Sequence, residues 1–566
     1  MWKPYVLQNM PYEAQTWCVN KGIHPLVSPL FSRVGLLDIP QMNEFLYKRL
    51  DDTRPSTLFG PNMEKAVKRL LHAVNNGEHI VVFGDYDVDG TTGTSVVLTV
   101  LSHIQLTKKF TFSYMIPNRF TEGYGLNDNN IGRLMGMKPN LVITVDCGIT
   151  STDQVRELKK HGIDTIVTDH HNAKGDLPND AVAIVHPATC GYPFQSICGC
   201  AVAYQFMKGI WETRGKAVPD WVKYGLLDLV ALGTVCDIMP LVDDNRVYVK
   251  EGLRVMNSGS RYSIKALKTR FKWDKIDTIT LGFFLGPMIN AAGRIKDADT
   301  AVEFMLNTSP TECTNLANEM YQRNEERKSR QNYIVEEGLK QAEKQKYKNI
   351  LVIKGKDFHG GIVGIAASKI MNKYYKPTFV LHENDKGYGG SARSIAGIDL
   401  FKEAQKHEHL LGKWGGHAAA MGMNVSKENA DVFFSALDEE LSKYPESVWN
   451  KISYYDGDIS SPFNINEDFF RDLELFGPFG QAFPQPVWRV RGTLVEAQDR
   501  KKEQKTGQID VGGQKYNFAM WSDGDKAFID REQTYYGTWS KSDKYGVQFT
   551  AIDAEPPKRP TLSLRL

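Results

Sequence analysis

The chain has 566 residues, with 69 lysines and arginines against 67 aspartates and glutamates. One hydrophobic core rarely serves a chain of this length, so we expect three or more domains. The near balance of charge excludes a protein that attracts polyanions through its net charge. Any such partner would have to be bound by local basic patches.

The composition also argues against a membrane segment. No run of about 18 apolar residues occurs, and the N-terminus lacks the basic-then-apolar order of a signal peptide. The seven cysteines are scattered and odd in number, which is typical of a reducing cytoplasm rather than of a disulfide framework. We therefore expect a soluble, cytoplasmic protein with no membrane partner.

In chain order, residues 1–75 are predicted to form an N-terminal arm packed on a catalytic domain. Prolines interrupt this stretch until residues 62–75, where apolar side chains recur at helical spacing and Asn76-Gly77 ends the helix. From residue 76 to about residue 310, short β-branched runs alternate with helix-length segments. This alternation is typical of a parallel α/β sheet.

Acidic and imidazole side chains follow three of the predicted strands. The run Ile80–Phe83 precedes Asp85, Asp87 and Asp89, the run Leu141–Val145 precedes Asp146, and the run Ile163–Thr168 precedes Asp169, His170 and His171. Ligands bind beyond the carboxyl ends of parallel strands, and crowded carboxylates repel one another unless a cation neutralises them. We therefore predict a metal site at this edge. The apolar helix before Asp237 can present that carboxylate to the same site.

Each motif also has a simpler interpretation. An Asp-x-Asp-x-Asp-Gly segment can be a turn or part of an EF-hand, but Val96 stands where an EF-hand has its glutamate, and a strand rather than a helix precedes the motif. A His-His pair alone is usually a surface feature. Three strand ends in register favour the metal site over both interpretations.

The later part of the chain divides into three segments. Residues 311–347 lack proline and are strongly polar, which predicts a solvated connector helix. Residues 348–450 begin a second, smaller α/β unit with glycine-rich stretches. Residues 451–566 contain short alternating stretches that suggest a small antiparallel barrel.

The order of these motifs resembles that of the DHH phosphoesterase superfamily. Asp85–Gly90, Asp146–Gly148, Asp169–His171 and the segment 232–237 correspond to DHH motifs, and the stretch from Gly415 to His417 resembles the associated DHHA1 domain. Together with residues 287–294 and the C-terminal barrel, the pattern resembles the RecJ family of single-strand-specific 5′-to-3′ exonucleases. The implied fold is α/β: a parallel-sheet DHH domain and a smaller α/β DHHA1 domain joined by a long helix, with an OB-like β-barrel.

The resemblance implies a phosphodiesterase that uses two Mn²⁺ or Mg²⁺ ions. It assigns metal ligation to Asp87, Asp89, Asp146, His170 and Asp237, and makes Asp85 a helper in or just behind the ligand shell. Asp146 and His171 are the expected catalytic residues, with His171 contacting phosphate or orienting a carboxylate. Carboxylates with one imidazole suit these ions better than zinc. Many relatives have a histidine where Phe83 stands, which would reshape one metal position.

The resemblance also implies a binding site for the strand. Ser391, Arg393, Gly415, Gly416 and His417 would contact a nucleic-acid backbone or a 5′-phosphate, because glycine backbone and arginine both suit phosphate. Arg119, Asn290 and Arg294 are further candidates along the strand's path. Ordinary turn glycines are the simpler interpretation. Met421 replaces the alanine usual in this segment.

Three other patterns have weaker meanings. His186, Cys190, Cys198 and Cys200 match no common zinc spacing, and buried cysteines often behave as small hydrophobic residues. One face of the connector helix carries Arg323, Arg327 and Arg330. This face is either a solvated charged surface or a DNA contact. The barrel's aromatic and basic residues fit single-strand binding by an OB-fold, although several of the rings must form its core.

Three functions follow from these patterns. The first is a single-stranded DNA exonuclease that acts in repair and recombination. The second is a catalytically silent DNA-binding relative, which the complete ligand set disfavours. The third is a phosphodiesterase for short oligonucleotides, which the connector and barrel disfavour because a short substrate needs no extended track. The expected partners are single-stranded DNA and a helicase or single-strand-binding protein, with the chain itself a monomer.

Overall fold

The structure is a computed structural model that describes residues 1–557, except residues 120, 174, 260, 296–297, 502–503, 523 and 543–545. The side chains of residues 292, 294, 295 and 501 also lie outside the description. The chain divides into two compact units. One contains residues 1–55, 237–254 and the chain from Ile452 onward, and the other contains residues 56–236 and 255–451.

The elements are numbered in chain order. The strands are β1 (Trp2–Pro4), β2 (His79–Gly84), β3 (Thr111–Met115), β4 (Leu141–Val145), β5 (Asp164–Thr168), β6 (Ala183–Val185), β7 (Leu351–Gly355), β8 (Thr378–Asn384), β9 (Gly387–Arg393), β10 (Leu411–His417), β11 (Ala420–Val425), β12 (Ser453–Tyr455), β13 (Gly457–Ile459), β14 (Trp488–Lys501), β15 (Gln504–Val511), β16 (Gln514–Met520), β17 (Glu532–Ser542) and β18 (Gly546–Ala554).

The helices follow the same numbering. They are α1 (Tyr12–Asn20), α2 (Leu30–Arg33), α3 (Ile39–Tyr47), α4 (Pro61–Asn75), α5 (Val88–Gln105), α6 (Ile131–Gly136), α7 (Thr152–Lys160), α8 (Gly199–Glu212), α9 (Asp220–Lys223), α10 (Leu227–Cys236), α11 (Asp243–Ser258), α12 (Tyr262–Phe271), α13 (Gly286–Ile295), α14 (Asp299–Leu306), α15 (Pro310–Ala342), α16 (Val363–Tyr374), α17 (Leu400–Gln405), α18 (Lys427–Ser442) and α19 (Glu467–Phe476). A π-helical segment, Thr280–Leu285, leads into α13. Among the helices in the described ranges, none combines the length and apolar character needed to cross a membrane.

A five-stranded parallel sheet forms the first layer of the larger unit. Its order is β3-β2-β4-β5-β6, and every pairing is parallel. All residues of β4 are buried, as are the last five of β2, because helices cover both faces of the sheet. The carboxyl ends of β2, β4 and β5 therefore meet at one edge, which confirms the predicted α/β sheet.

A second sheet completes the larger unit. Its order is β10-β11-β9-β8-β7, with β7 and β8 parallel and the remaining pairs antiparallel. The connector helix α15 has 33 residues, which corresponds to roughly 50 Å.

The expectation of a fully solvated connector is wrong, because α15 buries a continuous stripe. The stripe has alternating spacings of four and three residues and consists of Cys313, Ala317, Met320, Asn324, Arg327, Gln331, Ile334 and Gly338. Several of these side chains are small or polar, so the apolar signal in the sequence is too weak to reveal the packing.

The smaller unit contains a closed barrel. Strands β14, β15, β16, β18 and β17 pair in that order, and a β14–β17 pairing closes the circle. Its core includes Trp488, Tyr535, Trp539 and Phe549, so most of the aromatic signal in this segment is core packing. Trp521 is 54% exposed. Lys502 and Tyr545, which belong to the predicted basic and aromatic pattern, lie outside the described residues.

The first 55 residues share the barrel's hydrophobic core. Val27, Phe31 and Leu46 belong to the same buried cluster as Phe469 and Trp488. The expected arm of residues 1–75 is therefore divided: residues 1–55 form one unit with the barrel, and α4 belongs to the α/β unit. Burial of these scattered apolar residues drives that association, and no local sequence pattern reports the partner of a proline-rich segment.

Candidate metal centre

The loop after β2 carries three of the predicted ligands. Asp87 precedes α5 and accepts a hydrogen bond from the backbone N–H of Gly90 at 3.0 Å, which places its carboxylate at the helix N-terminus. Gly90 is required here, because a Cβ at this position would lie 2.5 Å from the carbonyl oxygen of Asp85. The Asp-x-Asp-x-Asp-Gly segment is thus a strand-to-helix turn, in which Asp85 and Asp87 lie in the connection and Asp89 lies in the first turn of α5.

Asp89 is held by a second helix. Its carboxylate oxygens accept hydrogen bonds from the backbone N–H groups of Gly199, at 2.6 Å, and Cys200, at 2.9 Å, at the beginning of α8. The positive end of the helix dipole favours an ionised carboxylate at this point. A methyl group at Gly199 would come within 2.5 Å of Asp146, so glycine lets α8 approach both carboxylates.

Asp146 and the two histidines complete the cluster from β4 and β5. Asp146 is 1% exposed and has a left-handed backbone with φ of +61°. The Nε2 atom of His170 lies 3.2 Å from Oδ1 of Asp146 and 3.6 Å from Oδ2 of Asp89. Burial lowers the pKa of His170, so its imidazole is neutral and suited to metal ligation.

The carboxylates of this cluster are crowded together and largely buried. Burial, with repulsion from neighbouring carboxylates, raises the pKa of Asp85, Asp87 and Asp146. One oxygen atom from each of these three residues lies within 4.8 Å of the others. Oδ1 of Asp85 is buried without a hydrogen-bond partner in the described part of the chain. Oxygen donors with one neutral imidazole fit Mn²⁺ or Mg²⁺, so the residues match the implied metal.

Asp169 holds the backbone of His170 and the ring of His171, although the sequence analysis assigned it no role of its own. Its Oδ1 atom accepts hydrogen bonds from the backbone N–H of His170 at 2.7 Å and from Nδ1 of His171 at 2.9 Å, and its Oδ2 atom accepts one from the backbone N–H of Ile149 at 2.9 Å. Burial opposes ionisation, but these hydrogen bonds hold the pKa of Asp169 below its ordinary value. The signal in the sequence was its position directly before the two histidines.

We expect Asp169→Asn to weaken Mn²⁺ affinity and activity by about 10- to 100-fold. The amide nitrogen must face either the histidine donors or the N–H of Ile149, and neither can accept its hydrogens. Metal titration followed by thermal unfolding measures the effect. Asp153→Asn, at a side chain that is 84% exposed, is the matched control. Equal metal affinity in both variants would remove this positioning role.

Aromatic residues and one arginine surround the mouth of the cluster. The hydroxyl of Tyr124 donates to the carbonyl oxygen of Asp146 at 3.1 Å and lies 3.0 Å from Nδ1 of His171. The guanidinium of Arg119 lies 4.8 Å from the ring centre of Tyr86, and its charge lowers the pKa of Asp85 against the stronger effect of burial. Arg119 thus lies beside Asp85, and its contact with a DNA strand stays a prediction, whereas Tyr124 was not among the predicted residues.

Asp237 directly follows the last residue of α10 and is the first residue of the other compact unit. A Cβ at Gly233 in α10 would lie 2.8 Å from Oδ1 of Asp89, so this helix runs past the cluster. Asp237 follows Gly233 by four residues, which is about one helical turn.

Two other expectations concern residues near the cluster. Phe83 is fully buried in an apolar group with Met115 and Leu134, so it serves as core packing at the end of β2. His186 uses both ring nitrogens, with Nδ1 accepting from the N–H of Thr189 and Nε2 lying 2.8 Å from the carbonyl oxygen of His171. Cys198 accepts from the N–H of Ala201 at the start of α8. These contacts explain the residues structurally, without zinc.

The second sheet brings most of the predicted phosphate-binding residues onto one face. In the strand register Arg393 lies opposite Ala420, which lies opposite His417. Ser391 and Gly415 likewise flank Gly422. Directly opposite residues share a face, so the two rows form one surface. We call the surface made by Ser391, Arg393, Gly415 and His417 the glycine face.

Gly416 and Met421 belong to the opposite side of this sheet. They are paired with each other, and Met421 is 2% exposed in the core of the second sheet. The methionine therefore fills core volume rather than altering the glycine face. Gly416 has a φ of +151°, and a Cβ there would lie 2.3 Å from the carbonyl oxygen of Ala420.

The remaining candidates have mixed outcomes. Asn290 is half-buried on α13, and the side chain of Arg294 lies outside the described residues. Arg323 donates to Thr300 and pairs with Glu319, and Arg330 pairs with Glu326 at 2.6 Å. Arg327 is only 8% exposed. Arg323 and Arg327 are thus mostly buried, so the three arginines do not form the expected solvated face, and a DNA contact by Arg330 stays a prediction.

Three parts of the chain match known domain families. Residues 79–234 match the DHH family, N-terminal domain, residues 347–443 match the DHHA1 domain, and residues 455–538 match the RecJ OB domain. The carboxylate and histidine cluster lies within the first match, and the glycine face lies within the second. The fold and the site thus define a DHH-type protein with a DHHA1 domain and a C-terminal OB barrel.

Whole-chain relatives identify the family within this class. The single-stranded-DNA-specific exonuclease RecJ of Dickeya dadantii is 32% identical over 496 residues, which cover 83% of this chain and 84% of the relative. RecJ of Bacillus subtilis is 33% identical over 483 residues, and the match spans 59% of that relative's length. The crystal structure of RecJ from Thermus thermophilus with Mn²⁺ matches 99% of this chain and 80% of its own, with 25% identity and a TM-score of 0.81. The chain belongs to the RecJ family.

Proposed function

We propose that this chain is a single-stranded-DNA-specific exonuclease that hydrolyses phosphodiester bonds from the 5′ end with the help of two divalent cations. The observation that carries the proposal is the convergence of Asp85, Asp87, Asp89, Asp146 and His170 at one sheet edge, where burial and neighbouring carboxylates raise the pKa of Asp146. The relative from Dickeya dadantii is a single-stranded-DNA-specific exonuclease, which supports the substrate, and the 5′ polarity is taken from the family resemblance alone.

The chain's own residues would hold the cations and the phosphate. When bound, divalent cations would polarise the phosphate ester, lower the pKa of a water molecule so that it can act as the nucleophile, and stabilise the leaving oxygen. The carboxylates and His170 would fix the cations, with Asp237 added from the end of α10. Asp169 accepts the hydrogen on Nδ1 of His171, so the imidazolium form of that half-exposed ring would also have an N–H at Nε2 to donate to a phosphate oxygen.

The glycine face is suited to bind the 5′ end of the strand. Arg393 donates to Ser391 and to a backbone carbonyl, and no carboxylate partner for it is found among the described residues. A Cβ at Gly364 would lie 2.9 Å from its guanidinium, so this glycine leaves room for the arginine beside α16. An arginine in this state can bind phosphate through two parallel hydrogen bonds.

We expect Arg393→Ala to weaken binding of a 5′-phosphorylated strand by about 1.5–3 kcal/mol. The loss on a 5′-hydroxyl strand should be smaller, because the charge-assisted contact is absent there. Binding of labelled oligonucleotides in a catalytically inactive background measures both. Arg156→Ala, on the exposed surface of α7, is the control. Equal losses on the two strands would mean that Arg393 contacts the internal backbone or only supports the fold.

The alternative functions are separated by the same assays. A catalytically silent DNA-binding relative would bind single strands without cleaving them at any Mn²⁺ concentration. A phosphodiesterase for short oligonucleotides would degrade dinucleotides faster than long strands. We expect digestion of strands labelled separately at each end to release the 5′ label first, to stop with a chelator, and to spare duplex DNA.

The cellular setting is part of the proposal. We propose a cytoplasmic monomer that acts in DNA repair and recombination and receives its strands from a helicase or a single-strand-binding protein. After residue 75, the proposed domains are the DHH domain at residues 76–310, the connector at residues 311–347, the DHHA1 domain at residues 348–450 and the OB-like domain from residue 451. Light scattering at working concentration tests the monomer.

A further inference from the structure

An exposed group of aromatic side chains lies on the larger unit, outside the metal cluster and the glycine face. Phe283 is 76% exposed and Phe284 is 53% exposed, both on the π-helical segment. The ring of Phe284 lies 6.2 Å from that of Trp273, edge to face, and Trp273 stacks on Phe271 at 4.7 Å. We call these four residues the aromatic platform.

The exposure of the platform is not explained by the fold. Neighbouring Leu281 and Leu285 are fully buried, so the helix already has an apolar side that faces the core. Adjacent exposed phenylalanines expose apolar surface to water at a free-energy cost and commonly mark a binding surface. π-Helical turns are also rare and often occur at functional sites.

The charges around the platform select an anionic partner. Between residues 268 and 284 the sequence contains the four cations Lys268, Arg270, Lys272 and Lys275 against Asp274 and Asp277. Groups of both signs have local partners: Asp277 accepts a hydrogen bond from the backbone N–H of Thr280 at 2.7 Å, and Arg270 donates to Asn318 and lies 4.2 Å from the ring centre of Tyr321. The segment as a whole keeps an excess of positive charge. Exposed rings interleaved with cations are the features that bind the bases and phosphates of a single strand.

The platform is also connected to the metal cluster through packed elements. Cys236, the last residue of α10, contacts the carbonyl oxygen of Leu281 at 3.6 Å. At the other end of α13, a Cβ at Gly293 would lie 3.2 Å from the carbonyl oxygen of Tyr86 in the metal loop. Nine residues separate Phe284 from Gly293, which corresponds to roughly 14 Å along a helix. An extended single strand would cover this distance with a few nucleotides.

We propose that the aromatic platform binds single-stranded DNA by stacking bases on Phe283 and Phe284, a few nucleotides from the bond that is cleaved. This inference rests on the proposed function and adds a base-contacting surface to it. Stacking accepts any base, because each base has an aromatic face, so the platform grips the strand without selecting a sequence. The surrounding cations hold the phosphates on either side of the stacked bases.

The test uses binding to two strands of equal length, one normal and one with abasic sites throughout. In an Asp146→Asn background, the Phe283→Ala/Phe284→Ala pair should weaken binding of the normal strand by roughly 10- to 100-fold. Binding of the abasic strand should change little, since no phosphate contact is removed. The Phe283→Trp/Phe284→Trp pair should retain affinity, because larger rings still stack.

Controls separate this inference from the proposed function. Tyr12→Ala removes an 82% exposed aromatic side chain of the other unit, outside the residues that match the RecJ OB domain, and should leave binding unchanged. Equal weakening on both strands, loss of affinity in the tryptophan pair, or normal binding by the alanine pair would each overturn stacking. In the last case, an acidic protein becomes the better match for the surface. If the otherwise unmodified chain binds no single strand, the proposed function itself fails.

Discussion

Asp146→Asn should abolish nuclease activity, with a loss of several kcal/mol in transition-state stabilisation, or about 10³-fold. Asp146 lies between the carboxylates of the β2 loop and the imidazole of His170, so its removal affects the whole cluster. Asparagine is the appropriate replacement, because it tolerates the left-handed backbone with φ of +61° at this position. Steady-state digestion of a single strand in Mn²⁺ measures the loss.

Stability provides an independent measure of the same substitution. Burial, together with repulsion from the neighbouring carboxylates, raises the pKa of Asp146 and disfavours its ionised form in the metal-free protein. Removal of one negative charge should therefore leave the metal-free protein at least as stable as before, while the stabilisation by Mn²⁺ becomes smaller. Single-stranded DNA should still bind. A folded variant with near-normal turnover would contradict the role of Asp146.

Asp456→Ala should lower the free energy of unfolding by about 3–5 kcal/mol. Asp456 forms an ion pair with Arg33 at 2.8 Å, and the two side chains are 3% and 4% exposed. The second carboxylate oxygen accepts from the backbone N–H of Val487 at 2.8 Å. Truncation would leave a buried guanidinium and a buried N–H uncompensated. Denaturant unfolding of the purified variant measures the effect.

The chain offers a closely matched control two residues away. Asp458 pairs with Arg489 at the surface, where the side chains are 53% and 43% exposed, so Asp458→Ala should change stability by less than about 1 kcal/mol. Adding Arg33→Met to Asp456→Ala should restore part of the loss, because the uncompensated charge is removed. Equal effects of Asp456→Ala and Asp458→Ala would show that the pair is not a structural link.

The convergence of acidic and imidazole side chains at one sheet edge could be predicted from the sequence, because local patterns determine it. Buried strands are read from β-branched runs, and parallel strands place Asp85, Asp146 and His170 at one edge without further information. The hydrogen bond between Asp169 and His171 and the contact of Tyr124 with His171 both depend on the geometry of loops. No periodic pattern encodes that geometry, so these two residues emerge only from the structure.

Long-range packing limits prediction elsewhere. The first 55 residues share a core with the barrel, although roughly 400 residues separate them in sequence. The buried stripe of α15 uses Asn324 and Gln331, which a hydropathy pattern counts as solvent-facing. On the second sheet, strand register alone decides that Met421 enters the core while Gly422 lies on the glycine face. Contacts of this kind can be identified only from the three-dimensional structure.

Counting the bound cations is the most direct test of the metal centre. Calorimetric titration of the metal-free chain with Mn²⁺, followed by single-strand digestion of the same sample, links occupancy to activity. We expect two ions per chain, activity that follows occupancy, and reduced binding with no activity in Asp146→Asn. A stoichiometry below two at saturation, or digestion that persists in a chelator, would contradict the two-cation mechanism.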